Sequence, residues 1–131
     1  MASGGLTKQG HVDVIPFEFN AGGVVLTAGV YGTHLIPYRF YIDDWYLMSL
    51  DGTSGSVAVD IKTANYTNHP TYASIVAAAA PAIAGATKAR ASSFTGWTRL
   101  IDRDTFVRFS ITGSPADITQ AGLYLVGRRL A

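Results

Sequence analysis

A chain of 131 residues with no cysteine, a net charge of +1 and three histidines already excludes several classes of protein. It holds no disulfide framework or thiolate metal site, and no electrostatic footprint for nucleic acid or an anionic membrane. Hydrophobic residues make up 48% and charged residues 15%, against ~25% charged in ordinary soluble domains.

That low charge, with abundant Gly, Ala, Thr and Ser, fits a surface largely covered by neighbouring chains; it also fits a neutral, Thr/Ser-coated β-domain. The length is that of one domain, which buries roughly two-thirds of its unfolded surface without disulfides. Residues 1–11 read as a flexible N-terminal arm, because Met1 to Gly10 are small, polar and Gly-containing. They lack the basic flank and apolar run of a signal peptide. The longest apolar run, Ile75 to Ile83, contains Pro81 and is far short of the ~20 residues of a membrane span. The expectation is a soluble protein made in a cytoplasm, with a single β-sandwich domain over residues 12–131.

From Val12 the pattern has period two: Val12, Val14 and Pro16 alternate with Asp13, Ile15, Phe17 and Phe19. This is strand-like, and Pro16 places it at an edge or a bend. Ala21-Gly22-Gly23 reads as a turn, Val24 to Thr27 as a short strand, and Ala28-Gly29 as its break. Val30 to Tyr38 forms the next segment. Arg39 to Leu50, with Phe40, Tyr41, Ile42, Trp45, Tyr46 and Leu47, favours strand over helix. Asp43-Asp44 inside it marks a bulge where two polar groups reach water. Asp51 to Gly55 reads as a hairpin turn. Ser56 to Thr63 then alternates, with Val57, Val59 and Ile61 inward and Ser56, Ala58, Asp60 and Lys62 outward.

The helical candidate lies between Pro70 and Pro81, where Tyr72 to Ala77 can make one or two turns with Thr71 as cap. Pro81 and Gly85 keep it short. Strands return at Lys88 to Phe94, Phe106 to Thr112 and Gly122 to Arg129, with Gly113 to Asp117 as the turn between the last two. Short strands at regular spacing describe a sandwich or barrel.

Chemistry is sparse along this frame. His11, His34 and His69 lie in unrelated segments without metal-ligand spacing. Asp43-Asp44 falls short of the six to eight oxygens that Ca²⁺ takes. Glu18 is the only glutamate, and there is no nucleophile elbow or phosphate-cradling loop. These counts point to no enzyme, no cofactor and no metal. The tyrosines, Trp45 and Trp97 serve the core and subunit contacts or, alternatively, a sugar-binding face. Arg99, Arg103, Arg108, Arg128 and Arg129 can pair with a partner's acids or with local aspartates.

Several ordered pieces together carry a resemblance. They are Val25 to Gly32, Ile36-Pro37-Tyr38, Trp45-Tyr46-Leu47, Gly55 to Lys62, Asn65-Tyr66 with Pro70, Ala86 to Ser93, Thr95 to Thr98, and Thr105 to Phe109. In order and spacing the chain resembles a small β-sandwich module of tailed-bacteriophage virion proteins, found in head decoration (cement) proteins and in terminal domains of tail fibres. The family usually has Gly-Asp at the turn where this chain has Arg103-Asp104.

The resemblance implies an all-β, antiparallel, jelly-roll-like β-sandwich of about 7–8 short strands with one short helical connector, and a non-enzymatic virion role. A fibre tip is normally joined to a long shaft, and only about twenty residues precede the module here. The expectation is therefore a capsid decoration protein. It would be a homotrimer bound to the major capsid protein on the capsid surface, made in the host cytoplasm, with no nucleic-acid or membrane partner. The alternative is a receptor- or carbohydrate-binding module of a tail or tail fibre. Candidate partner-binding residues are Leu6, Thr7 and Lys8 in the arm, with Tyr41, Tyr46, Arg128 and Arg129.

Overall fold

The computed structural model describes residues 11–76 and 79–130. The expectations for the arm, including Leu6, Thr7 and Lys8, fall outside the described residues, and the first strand already begins at His11. Ten strands follow in chain order: β1 (His11–Asn20), β2 (Gly29–Ile36), β3 (Arg39–Ser49), β4 (Gly55–Asn65), β5 (Ala73–Ser74), β6 (Ala82–Ala86), β7 (Lys88–Arg90), β8 (Leu100–Ile101), β9 (Thr105–Ala116) and β10 (Gln120–Leu130).

They form two antiparallel sheets packed face to face. The first has the order β1-β10-β3, with β7 and β8 both paired to the far side of β3. The second has the order β2-β9-β4, with β5 and β6 both paired to β4. Each sheet thus has four strand positions, the last split into two short pieces, which gives the eight positions of a jelly roll. Consecutive long strands alternate between sheets, so β1 and β2, and β3 and β4, lie in opposite layers.

Several sequence expectations change here. There is no helix among the described residues. In place of the helical connector, Ala73 and Ser74 pair with Thr63 and Lys62 of β4, and the Pro81 carbonyl accepts from Val59 N–H at 2.9 Å. Tertiary pairing thus satisfies the backbone that a short helix would have satisfied within itself. The stretch from Asp51 to Gly55 crosses between sheets and is no hairpin. Likewise β9 runs on through Gly113 and Pro115 to Ala116, and the crossover to the first sheet comes only after it. Pro115 is tolerated because that end of β9 meets β4 across a register shift, at a sheet margin.

The alternation in β4 is as expected: Val57, Val59 and Ile61 are buried. Across the layers they meet Phe40, Ile42, Leu47, Leu123 and Leu125, all fully buried, in one continuous core. In β1, Ile15 and Phe19 face inward. The Phe17 ring stacks on Phe109 at 4.4 Å and meets Phe19 edge-on at 4.8 Å. Such pairs add about 0.5–1.5 kcal/mol each beyond area burial. Gly32 is required beneath this stack, since a Cβ there would come within 2.7 Å of the Phe17 ring. Val24 and Val25 are exposed and form no strand; Leu26 is buried, its N–H bonded to the Ile118 carbonyl at 2.9 Å.

Asp51 ties the two crossovers together. Its carboxylate accepts from the Ser49 hydroxyl at 2.5 Å, the Thr119 N–H at 2.8 Å and hydroxyl at 2.7 Å, and the Thr53 N–H at 3.0 Å. The Ser49 bond first, then those from Thr119 and Thr53, hold this carboxyl well below the usual range.

Candidate docking face

Strand alternation decides which side chains reach the outside of the first sheet. On β10, Ala121, Leu123 and Leu125 point into the core, so Tyr124, Val126 and Arg128 point out. Register then sets the rows. Val12, Arg128, Tyr41 and Leu100 lie opposite one another across β1, β10, β3 and β8. Pro16, Tyr124, Tyr46 and Arg90 form a second row.

Between the rows, Val126 pairs with Asp44 but Gly127 pairs with Ile42, so Asp43 is the extra residue of a β-bulge. This is the kink the adjacent aspartates predict. Gly127 makes it possible: a Cβ there would collide with the Tyr41 carbonyl oxygen and lie 2.8 Å from the Phe40 ring.

The bulge supplies two carboxylates to the middle of this face, beside Arg128 and Arg90. Arg128 donates to Asp43 through Nε at 2.9 Å and Nη2 at 3.2 Å. Arg90 donates to Asp44 through Nη2 at 2.8 Å. Both guanidiniums also lie over rings, Arg128 at 5.2 Å from Tyr41 and Arg90 at 4.8 Å from Tyr46. Arg99 approaches Tyr41 at 4.9 Å. Hydrogen bonding to Asp43 and Asp44 raises the pKa of Arg128 and Arg90 above the usual value.

Of the residues singled out from sequence, the structure brings Tyr41, Tyr46 and Arg128 together on this face. Arg129 lies opposite the buried Phe40, so it belongs to the other side of the sheet. There it pairs with Asp13 at 2.7 Å and covers Tyr38 at 3.8 Å. Sequence reasoning missed Val12, Val14, Met48 and Leu100, which are exposed on the same face. The signal was present in β1, where the larger Ile15 and Phe19 occupy the alternate positions and leave the two valines outside.

The tryptophans are not part of any exposed platform. Trp45 is buried, and Trp97 is half-buried with Nε1 donating to the Ala79 carbonyl at 2.8 Å. A cleft of about 630 Å³ opens between the sheets and is lined by Thr63, Thr67, Asn68, Thr71, Asp102 and Thr105 among others. No three His, Cys, Asp or Glu side chains gather around a common point among the described residues. No helix there is long and apolar enough to cross a membrane.

No protein-family model matches the sequence. No curated protein matches it either. Among solved structures, the chain is similar to a chain from the structure of infectious bursal disease virus, Gx strain, at 11% identity and a TM-score of 0.35. That alignment covers 94% of this chain and 38% of the viral one, so the chain spans about two-fifths of its length.

Proposed function

We propose that this protein is a non-enzymatic virion structural protein, a bacteriophage capsid decoration (cement) protein that docks on the major capsid protein through the outer face of its first sheet. The observation that carries the reading is the character of that face. Tyr41, Tyr46 and Tyr124 sit among exposed Val12, Val14, Met48 and Leu100, and the two arginines beside the bulge are each neutralised by an aspartate of the same sheet. Tyrosine-rich, apolar area with little unpaired charge suits the centre of a protein interface. It suits a nucleic-acid contact poorly, since that would require free cations. Many weak contacts of this kind across a shell stabilise it through multivalency.

Electron microscopy of purified virions tests this. Density for the chain on the capsid surface is expected, with the first sheet toward the shell; density confined to the tail rejects it. Replacing Tyr41 and Tyr46 together with serine is expected to release the protein from capsids while leaving it folded.

A second reading, a carbohydrate-binding module of a tail or fibre, is favoured by the hydroxyl- and amide-lined cleft. Binding to a glycan array, lost on Asn68→Ala, would favour it over the first.

A further inference from the structure

The second sheet presents an outer face of different chemistry. Its central row runs Thr33, Arg108, Lys62 and Ser74 across β2, β9, β4 and β5. The rows beside it hold Leu35, Phe106 and Ala64 on one side and Val30, Ser110 and Asp60 on the other. Val30 and Leu35 are more than half exposed, at 58% and 54%.

Arg108 stands out at the centre of this face. Its guanidinium lies 3.8 Å from the Tyr72 ring centroid, and Tyr72 is itself braced edge-on by the His69 ring. Yet Arg108 joins none of the ion pairs among the described residues, and its buried Nε has no hydrogen-bond partner. Trp45 Nε1 is the other such orphan, but it is an uncharged donor in the core. The cation directly opposite Arg108 is Lys62. The carboxylate in the neighbouring row, Asp60, is engaged by the Ser74 hydroxyl at 2.7 Å and by Lys62 at 4.0 Å. A guanidinium held over a ring, short of acceptors and beside a second cation is a pre-organised receptor for an external carboxylate.

We infer that the outer face of the second sheet binds an acidic segment of a protein partner, with a carboxylate of that segment on Arg108 and its apolar side chains against Val30 and Leu35. Three features select this occupant. Two cations, Arg108 and Lys62, with exposed Val30 and Leu35 in the rows alongside, match a short acidic segment with apolar neighbours, whereas a nucleic-acid backbone needs a longer row of cations. The planar fork matches a carboxylate geometrically. A second copy facing this one across a two-fold axis would bring Arg108 and Lys62 toward their own copies, like charge against like. The site is separate from the face assigned to capsid docking and stands without that assignment.

The test uses the full chain and the peptide acetyl-Leu-Glu-Val-Glu-Leu-amide, with a control peptide carrying glutamine for both glutamates, and inorganic phosphate as a second probe. Binding is followed by calorimetry and by the Arg108 Nε–H resonance in NMR. The acidic peptide is expected to bind and to shift that resonance, with the glutamine peptide at least about tenfold weaker, the scale of one lost charge-assisted pair. Arg108→Met should weaken it similarly, Arg108→Lys should restore part of the loss, and Arg128→Met on the other face should change it less than about twofold. Thermal melts of each variant establish that it is folded. Asp60→Asn, which removes the competing internal carboxylate, should strengthen binding. No binding at millimolar peptide, equal binding of both peptides, equal loss from Arg128→Met, or phosphate binding as tightly as the acidic peptide would each overturn the inference.

Discussion

On the first sheet Arg90 and Arg128 each meet an aspartate within 2.9 Å, whereas on the second sheet Arg108 meets a tyrosine ring, a lysine and no acid. Both arginines at sheet centres, Arg128 and Arg108, lie on strands flanked by partners on both sides. Both are half-buried and lie over an aromatic ring. What differs is a single inserted residue. The bulge at Asp43 gives β3 two consecutive carboxylates on the cationic face, while β4 opposite Arg108 keeps regular register and offers Lys62. The two arginines beside the bulge are thereby neutralised within their own sheet, and Arg108 retains an unspent positive charge.

The strongest way to break this comparison is Gly127→Ala. The added methyl must displace the Tyr41 carbonyl or the Phe40 ring, which should destabilise the fold by about 3 kcal/mol and scramble the Asp43 pairing; urea denaturation measures the first and NMR the second.

Asp51→Asn is next in size and acts as a control, since Asp51 belongs to neither face. Its folded pKa is depressed, so its stabilisation is fully present above its unfolded value of about 4 and is lost as pH falls below that. Wild type should melt above the variant at pH 7 by a few degrees, and the gap should close on acidification below pH 4. A gap that widened there would contradict the hydrogen-bond pattern around Asp51.

Smaller still is Arg128→Met, expected to lower Tm by about two degrees at low salt and less at 1 M salt. Arg108→Met should move Tm by about one degree or less in either direction, because the orphaned Nε is removed together with the ring contact. Equal losses from the two substitutions would erase the distinction between the faces.

Much of this was legible before any coordinates. The alternation in Ser56 to Thr63 fixed which side chains are buried in β4, because a strand with one solvated face declares its period. Asp43-Asp44 declared a bulge, because two consecutive polar residues cannot both follow the alternation. Tyr41 and Tyr46, an odd five residues apart, share a face with Arg128 because the bulge at Asp43 shifts the alternation between them. What stayed hidden depends on partners distant in sequence. Tyr72 to Ser74 has local helical character, but its neighbours on β4 recruit it as an edge strand. Asp51-Gly52 looks like a hairpin tip, and only the layer assignment of β3 and β4 shows that it crosses between sheets. Nothing near Arg108 in the chain reveals that Lys62 will stand opposite, so its want of a counter-ion was invisible.

The antiparallel pairing of β1 with β10 sets His11 beside Arg129. A tension applied through these two points would load the ladder from one end, parting its backbone pairs in succession rather than shearing them all together. In single-molecule pulling, the domain should therefore yield at a low force through these attachments and at a much higher one when held across β10 and β3 from opposite ends. A protein anchored at this corner would be a mechanical fuse, giving way at its first strand before its core feels the strain.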